Sequence, residues 1–318
     1  MRPFSQALAR FLLAAAVVLA ATGPSKAADG PRVVASIGPI GSLTAAVMRG
    51  IGSPTVLLPA GASPHAYALR PSEARALASA DLVLWVGEAL ETFLEEPLQS
   101  LARPETVVEL AEAEGLTLHP ARKGGVWEAD HGDEPDGHDD HDHGHGGIDP
   151  HLWLDPRNAV VLVRRIAEEL AARDPGRAAA YRANADAAVA SITALDQELA
   201  HTLAAVGDRP YVVFHDAYQY LEQRYDLFPI GAVTIGPERA AGVQRVRQLR
   251  EAVVSRGATC VFREPGFSPK LLESLADDGH VKIGVLDPEG IDIVPGPDGY
   301  QQLMRGLAAS LAGCLAGG

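Results

Sequence analysis

Between Pro175 and about Ala205 the chain carries a long alanine-rich segment whose larger side chains recur at steps of three and four. Tyr181, Ala185, Ala188, Ile192, Leu195, Leu199 and Leu203 fall on one face of a single helix. At 1.5 Å per residue that helix is roughly 45 Å long, enough to traverse a domain and join two lobes. The sequence on either side follows one pattern. Before it, short apolar runs (32–37, 54–58, 81–86, 106–110) alternate with helical spacing at 40–51, from Pro71 onward, at 87–101 and at 157–172. After it the alternation restarts, with strands at 211–214, 228–234, 259–262 and 282–286, and helices at 218–225, 243–255, 268–276 and 300–315. Such alternation predicts an α/β fold: two similar lobes with parallel sheets flanked by helices, joined by one long rigid helix. No sequence repeat relates the two runs.

The expected organisation is a signal peptide at 1–27, a first lobe at 28–174, the linking helix at 175–206 and a second lobe at 207–318. Arg2 and Arg10 precede the apolar run 11–21, and small residues follow up to Ala27. This is the pattern of an export signal cleaved after Ala27, too short for a membrane span. Its loss removes three positive charges and deepens the formal charge of −14. An exported, soluble, acidic protein is expected, and the charge and the 5% aromatic content argue against nucleic-acid binding. Only Cys260 and Cys314 are present. In an oxidising compartment a lone pair is most simply a disulfide.

One stretch departs from the alternation. From Gly124 to Pro156, His131, His138, His141, His143 and His145 are interleaved with Asp and Glu, and no apolar period survives. It reads as a mobile surface loop, spanning about 119–148, whose imidazoles and carboxylates collect a borderline metal such as zinc. The loop ends in Asp149-Pro-His-Leu-Trp-Leu-Asp-Pro156, where His151 sits between prolines and beside an apolar anchor. His65 follows the second strand, His215 ends the first strand of the second lobe, and Asp287 ends its last strand. Ligands of parallel sheets gather at the carboxyl ends of strands, so two facing lobes would bring these four together. Three imidazoles with a carboxylate or water make a tetrahedral zinc set. His201 and His280 read as surface residues.

Gly61-Ala-Ser-Pro-His-Ala-Tyr-Ala-Leu-Arg-Pro-Ser-Glu73, Asp149 to Pro156 and Val213-Phe-His-Asp-Ala-Tyr-Gln-Tyr220 resemble signature segments of the ZnuA family. Thr259 to Phe267 and Leu286-Asp-Pro-Glu-Gly290 extend the likeness over essentially the whole mature chain. The resemblance implies a periplasmic protein that binds Zn2+ in the cleft between its lobes and delivers it to an ABC-type membrane permease, without catalysis. It implies His65, His151 and His215 as ligands. Manganese-binding relatives carry a carboxylate where this chain has His215. Pro64 stands where some ZnuA proteins have a ligand Glu, which leaves the fourth position to Asp287, water or a loop histidine. A Cys pair spaced like Cys260 and Cys314 is also a feature of the family. A monomer is expected, with a periplasmic zinc chaperone as a further partner. Two other classes compete. A secreted zinc hydrolase would use the same ligands, but no H-E-x-x-H helix or G-x-S-x-G elbow is present. A metal-storage or adhesin-type surface protein would carry a lipid-anchor cysteine or repeats of the histidine tract, and neither occurs.

Overall fold

The computed structural model describes residues 30–122, 126–127, 147–234, 242–268, 270–276 and 281–316. The expected signal peptide, the five loop histidines and His280 lie outside them. The first sheet holds β1 (Val33–Ala35), β2 (Thr55–Val56), β3 (Leu82–Trp85) and β4 (Val107–Glu109), all parallel, in the order β2-β1-β3-β4. The second holds β5 (Tyr211–His215), β6 (Pro229–Thr234), β7 (Cys260–Arg263) and β8 (Lys282–Val285), parallel, in the order β6-β5-β7-β8. The two orders are the same, so the repeat missing from the sequence is present in the topology.

Helices α1 (Gly38–Val47), α2 (Pro71–Ser79), α3 (Glu95–Leu101) and α4 (Pro156–Arg173) belong to the first half, and α5 (Ala178–Leu203) links the halves. The short helices α6 (Gln219–Arg224) and α8 (Lys270–Leu275) flank α7 (Val243–Arg256), and α9 (Gly299–Leu315) closes the chain. The buried face of α5 is the seven residues that the period singles out, Tyr181 through Leu203. Its 26 residues make it about 39 Å long.

Strand parity divides the core. Val33, Ala35, Leu82 and Leu84 face inward with Tyr211, Val213, Cys260 and Phe262, in one apolar cluster that also includes the buried faces of α1, α4, α5 and α9. The alternate residues Val34, Val83 and Trp85, and Val212 and Val261, face two smaller outer clusters. The lobes therefore share a core. Helix α9 crosses back to pack on α1, and a Cβ on Gly299 would stand 2.4 Å from Ser42 Oγ, so a side chain there would force Ser42 to move. The expected Cys260–Cys314 disulfide is present and ties α9 to β7.

Two elements depart most from the expectation. The second strand is reduced to Thr55–Val56, an edge strand, although Leu57 N and Leu58 N still donate to Ala35 O and Ser36 O at 2.9 Å. The single helix expected over 87–101 is a 3-10 turn, Thr92–Leu94, followed by α3. The cause is Glu91. Its buried carboxylate accepts from Ser36 Oγ, Val86 N and Gly87 N, which bends residues 86–91 around it. Burial, opposed by those hydrogen bonds, raises its pKa to about 7 from 4.5. A carboxyl raised on folding favours the folded state fully below pH 4.5, and that contribution, about 3 kcal/mol, is lost as pH rises through 7. In Glu91→Gln the amide oxygen can keep the two backbone donors while its nitrogen donates to Ser36. That variant should melt higher than the parent at pH 8 and show a flatter dependence of melting temperature between pH 5 and 8. An unchanged slope would refute this role.

Candidate metal centre

His65, His151 and His215 meet at the carboxyl ends of the two sheets. His215 is the last residue of β5, His151 precedes a buried 3-10 turn (Leu152–Leu154) that leads into α4, and His65 lies in the turn after β2. Trp153 anchors that 3-10 turn, its Nε1 donating to Pro288 O at 3.0 Å and its carbonyl accepting from Tyr300 at 2.8 Å. The ring centroids stand 4.9 Å (His151–His215), 5.4 Å (His65–His215) and 5.6 Å (His65–His151) apart. One nitrogen from each ring lies within 4.8 Å of the other two, which makes this a group able to hold a metal ion.

Hydrogen bonds decide which nitrogens face inward. Asp149 Oδ1 takes His151 Nδ1 at 2.8 Å and His151 N at 3.0 Å. Glu264 takes His215 Nδ1 at 3.2 and 3.3 Å, and its Oε1 also accepts from Tyr218 at 3.0 Å. An ionised carboxylate can only accept, so each Nδ1 carries the proton and each Nε2 presents a lone pair. Carboxylates behind metal-binding imidazoles fix the tautomer and ring orientation in this way. The Nε2 atoms of His65, His151 and His215 are all buried and have no hydrogen-bond partner. Three buried, unpartnered ring nitrogens so close together are costly unless a cation takes them.

Electrostatics keep two of the three rings neutral. Burial first, then the neighbouring His215 and His151, push the His65 pKa well below 6.5. Burial lowers His151 against the opposing pull of Asp149. Burial also acts downward on His215, but the charge and hydrogen bond of Glu264, with Asp216 and Asp149, outweigh it and the net direction is up.

Asp287 stands apart from this group. It lines the neighbouring cavity of about 160 Å3 together with His65, His215, Glu264 and Glu289. Its oxygens accept from the backbone amides of Glu289 (3.1 Å), Gly290 (2.8 Å) and Ile291 (2.6 Å), closing a turn in which Gly290 has φ +67°. His201 is exposed on α5.

The root of the histidine-rich segment is held on both lobes. Asp149 N donates to His119 O at 2.8 Å, and Pro120 bridges Ile148. Farther on, Val126 pairs with Gly231 of the edge strand β6 and Trp127 N donates to Ile230 O at 3.0 Å. Arg122 pairs with the buried Asp216 and Glu222 and lies 4.1 Å over the Trp127 ring. Val126 and Trp127 are therefore docked, where the sequence suggested a mobile loop. Two consecutive apolar residues in a polar tract were the available signal. The supporting Asp149 and Glu264 also escaped sequence reasoning. The i to i+2 spacing of Asp149 and His151 could have indicated the first, but nothing local indicates the second.

Fold and site together define a class: two parallel-sheet lobes on a long helix, with a cation-ready histidine cluster between them. The family model described as "Zinc-uptake complex component A periplasmic" matches residues 33–314. The chain belongs to the ZnuA family. It is 42% identical to the high-affinity zinc uptake system protein ZnuA of Brucella abortus, over 95% of this chain and 97% of that protein. A crystal structure of ZnuA shares the fold at TM-score 0.74 and 24% identity, covering 90% of this chain and all of that one. A zinc-bound ZnuA deletion mutant superposes at TM-score 0.73 and 26% identity, covering 91% and 99%. Among the described residues no helix is long and apolar enough to cross a membrane.

Proposed function

We propose that this protein binds Zn2+ with high affinity in the periplasm and delivers it to an ABC-type permease, with His65, His151 and His215 as the ligands. The observation that carries this reading is the set of three buried Nε2 atoms with no partner, two of them backed by carboxylates. Three imidazole nitrogens suit zinc, whereas manganese prefers more oxygen. The relatives named as zinc uptake proteins support the same cargo. Docking to the permease is transient, a periplasmic zinc chaperone is a further partner, and the protein acts as a monomer exported after cleavage at Ala27.

In this reading His131, His138, His141, His143 and His145 form a collecting loop and the cleft supplies the affinity. Each loop residue fixed by a metal costs about 1–2 kcal/mol of conformational entropy, whereas the cleft histidines were ordered on folding. Competitive titration against a zinc chelator tests this. Deleting residues 131–146 should leave the tight Kd within about tenfold, or about 1.4 kcal/mol, while the weak sites disappear and uptake slows at low ionic strength. A loss of several orders of magnitude would make a loop histidine the fourth ligand.

A further inference from the structure

Three carboxylates line the cavity beside the histidine cluster: Glu264, Asp287 and Glu289. Two have their oxygens engaged. Glu264 supports His215 and takes the Tyr218 hydroxyl, and Asp287 closes its own turn on three backbone amides. Glu289 differs, because its Oε2 is buried and has no hydrogen-bond partner. The charged groups that act on it are Asp287, Glu91 and Glu264, all acidic, and among the described residues no cation answers it. Its backbone is held in place, since Pro288 O accepts from Trp153 Nε1 and Glu289 O lies 3.3 Å from where a Cβ on Gly38 would stand.

Resting on the three-histidine reading above, we infer that Glu289 is a positioning residue that accepts a hydrogen bond from a water in the fourth coordination position of the bound ion. Among the described residues no carboxylate oxygen joins the three nitrogens that lie within 4.8 Å of one another, so direct ligation is not the arrangement present. A water closes that gap. It would sit about 2 Å from zinc and about 2.7 Å from its acceptor, which lets a carboxylate reach the ion from the second layer. A cation-bound water is a strong donor, and an ionised carboxylate is an acceptor only. Burial and its acidic neighbours raise the Glu289 pKa in the metal-free protein, and a cation bound nearby favours the ionised, accepting form.

The test uses the full exported chain carrying Glu289→Gln, with Zn2+ and Co2+ as probes. Zinc affinity should fall about tenfold or more, the usual cost of removing such an outer partner. The visible bands of the Co2+ form should shift, because the water at the ion is held differently. Melting of the metal-free protein should stay the same or rise, since a buried unpartnered carboxylate is gone. Wild-type bands with affinity within about twofold would overturn the inference, as would a fall in metal-free melting with unchanged bands. Altered bands in Asp287→Asn with a silent Glu289→Gln would make Asp287 the fourth ligand and overturn it too. His215→Ala serves as the reference. If it keeps the tight zinc, the three-histidine reading falls; if it loses the zinc while Glu289→Gln is silent, only the role of Glu289 falls.

Discussion

His65→Ala should abolish tight zinc binding while the metal-free protein keeps its stability. Preorganised zinc sites are worth on the order of 12 kcal/mol, so removing one of three nitrogens should cost about 4 kcal/mol, roughly a thousandfold in Kd. His65 is the cleanest position because, among the described residues, no carboxylate hydrogen-bonds its ring, which packs against the other two histidines. His215→Ala should weaken zinc as much but also lower the melting temperature of the metal-free form. There the buried Glu264 loses one of its two side-chain donors and keeps only the Tyr218 hydroxyl. Chelator competition and metal-free melting curves on both variants separate the two effects. Equal melting losses in both would show that the Glu264 contact carries no stability.

Cys314→Ser should produce the largest loss of stability among these substitutions with little change in zinc affinity. The bridge closes a separation of 54 residues, for which the chain-entropy model gives about 4 kcal/mol. It anchors α9, whose other face packs on α1 and α5, so losing it loosens the helix that returns to the first lobe. The ligand histidines lie at strand ends and in turns outside α9, and their supporting carboxylates do not touch the bridge. Thermal melts with and without zinc measure this. A parent protein with two free thiols, or a variant whose zinc affinity drops with its stability, would contradict it.

Much of the fold is legible because its signals are local. The burial of α5 follows from the spacing of Tyr181 through Leu203, and the buried strands Val33–Ala35 and Leu82–Trp85 read as unbroken apolar runs. The return of α9 to α1 is not local, and only the absence of a side chain at Gly299 marks the contact in the sequence. Within the site, the histidines could be named from their places after strands. Carboxylate roles could not, because Asp287-Pro-Glu-Gly290 gives no sign that Asp287 is committed to a turn while Glu289 retains an unpartnered oxygen. Glu91 likewise reads as an ordinary helical glutamate until its amide partners are known.

Anomalous diffraction at the zinc absorption edge, on crystals of the full chain loaded with one equivalent of Zn2+, tests the central claim most directly. The predicted result is one strong peak enclosed by the Nε2 atoms of His65, His151 and His215. A dominant peak on the segment carrying His131 to His145, with none in the cleft, would contradict it.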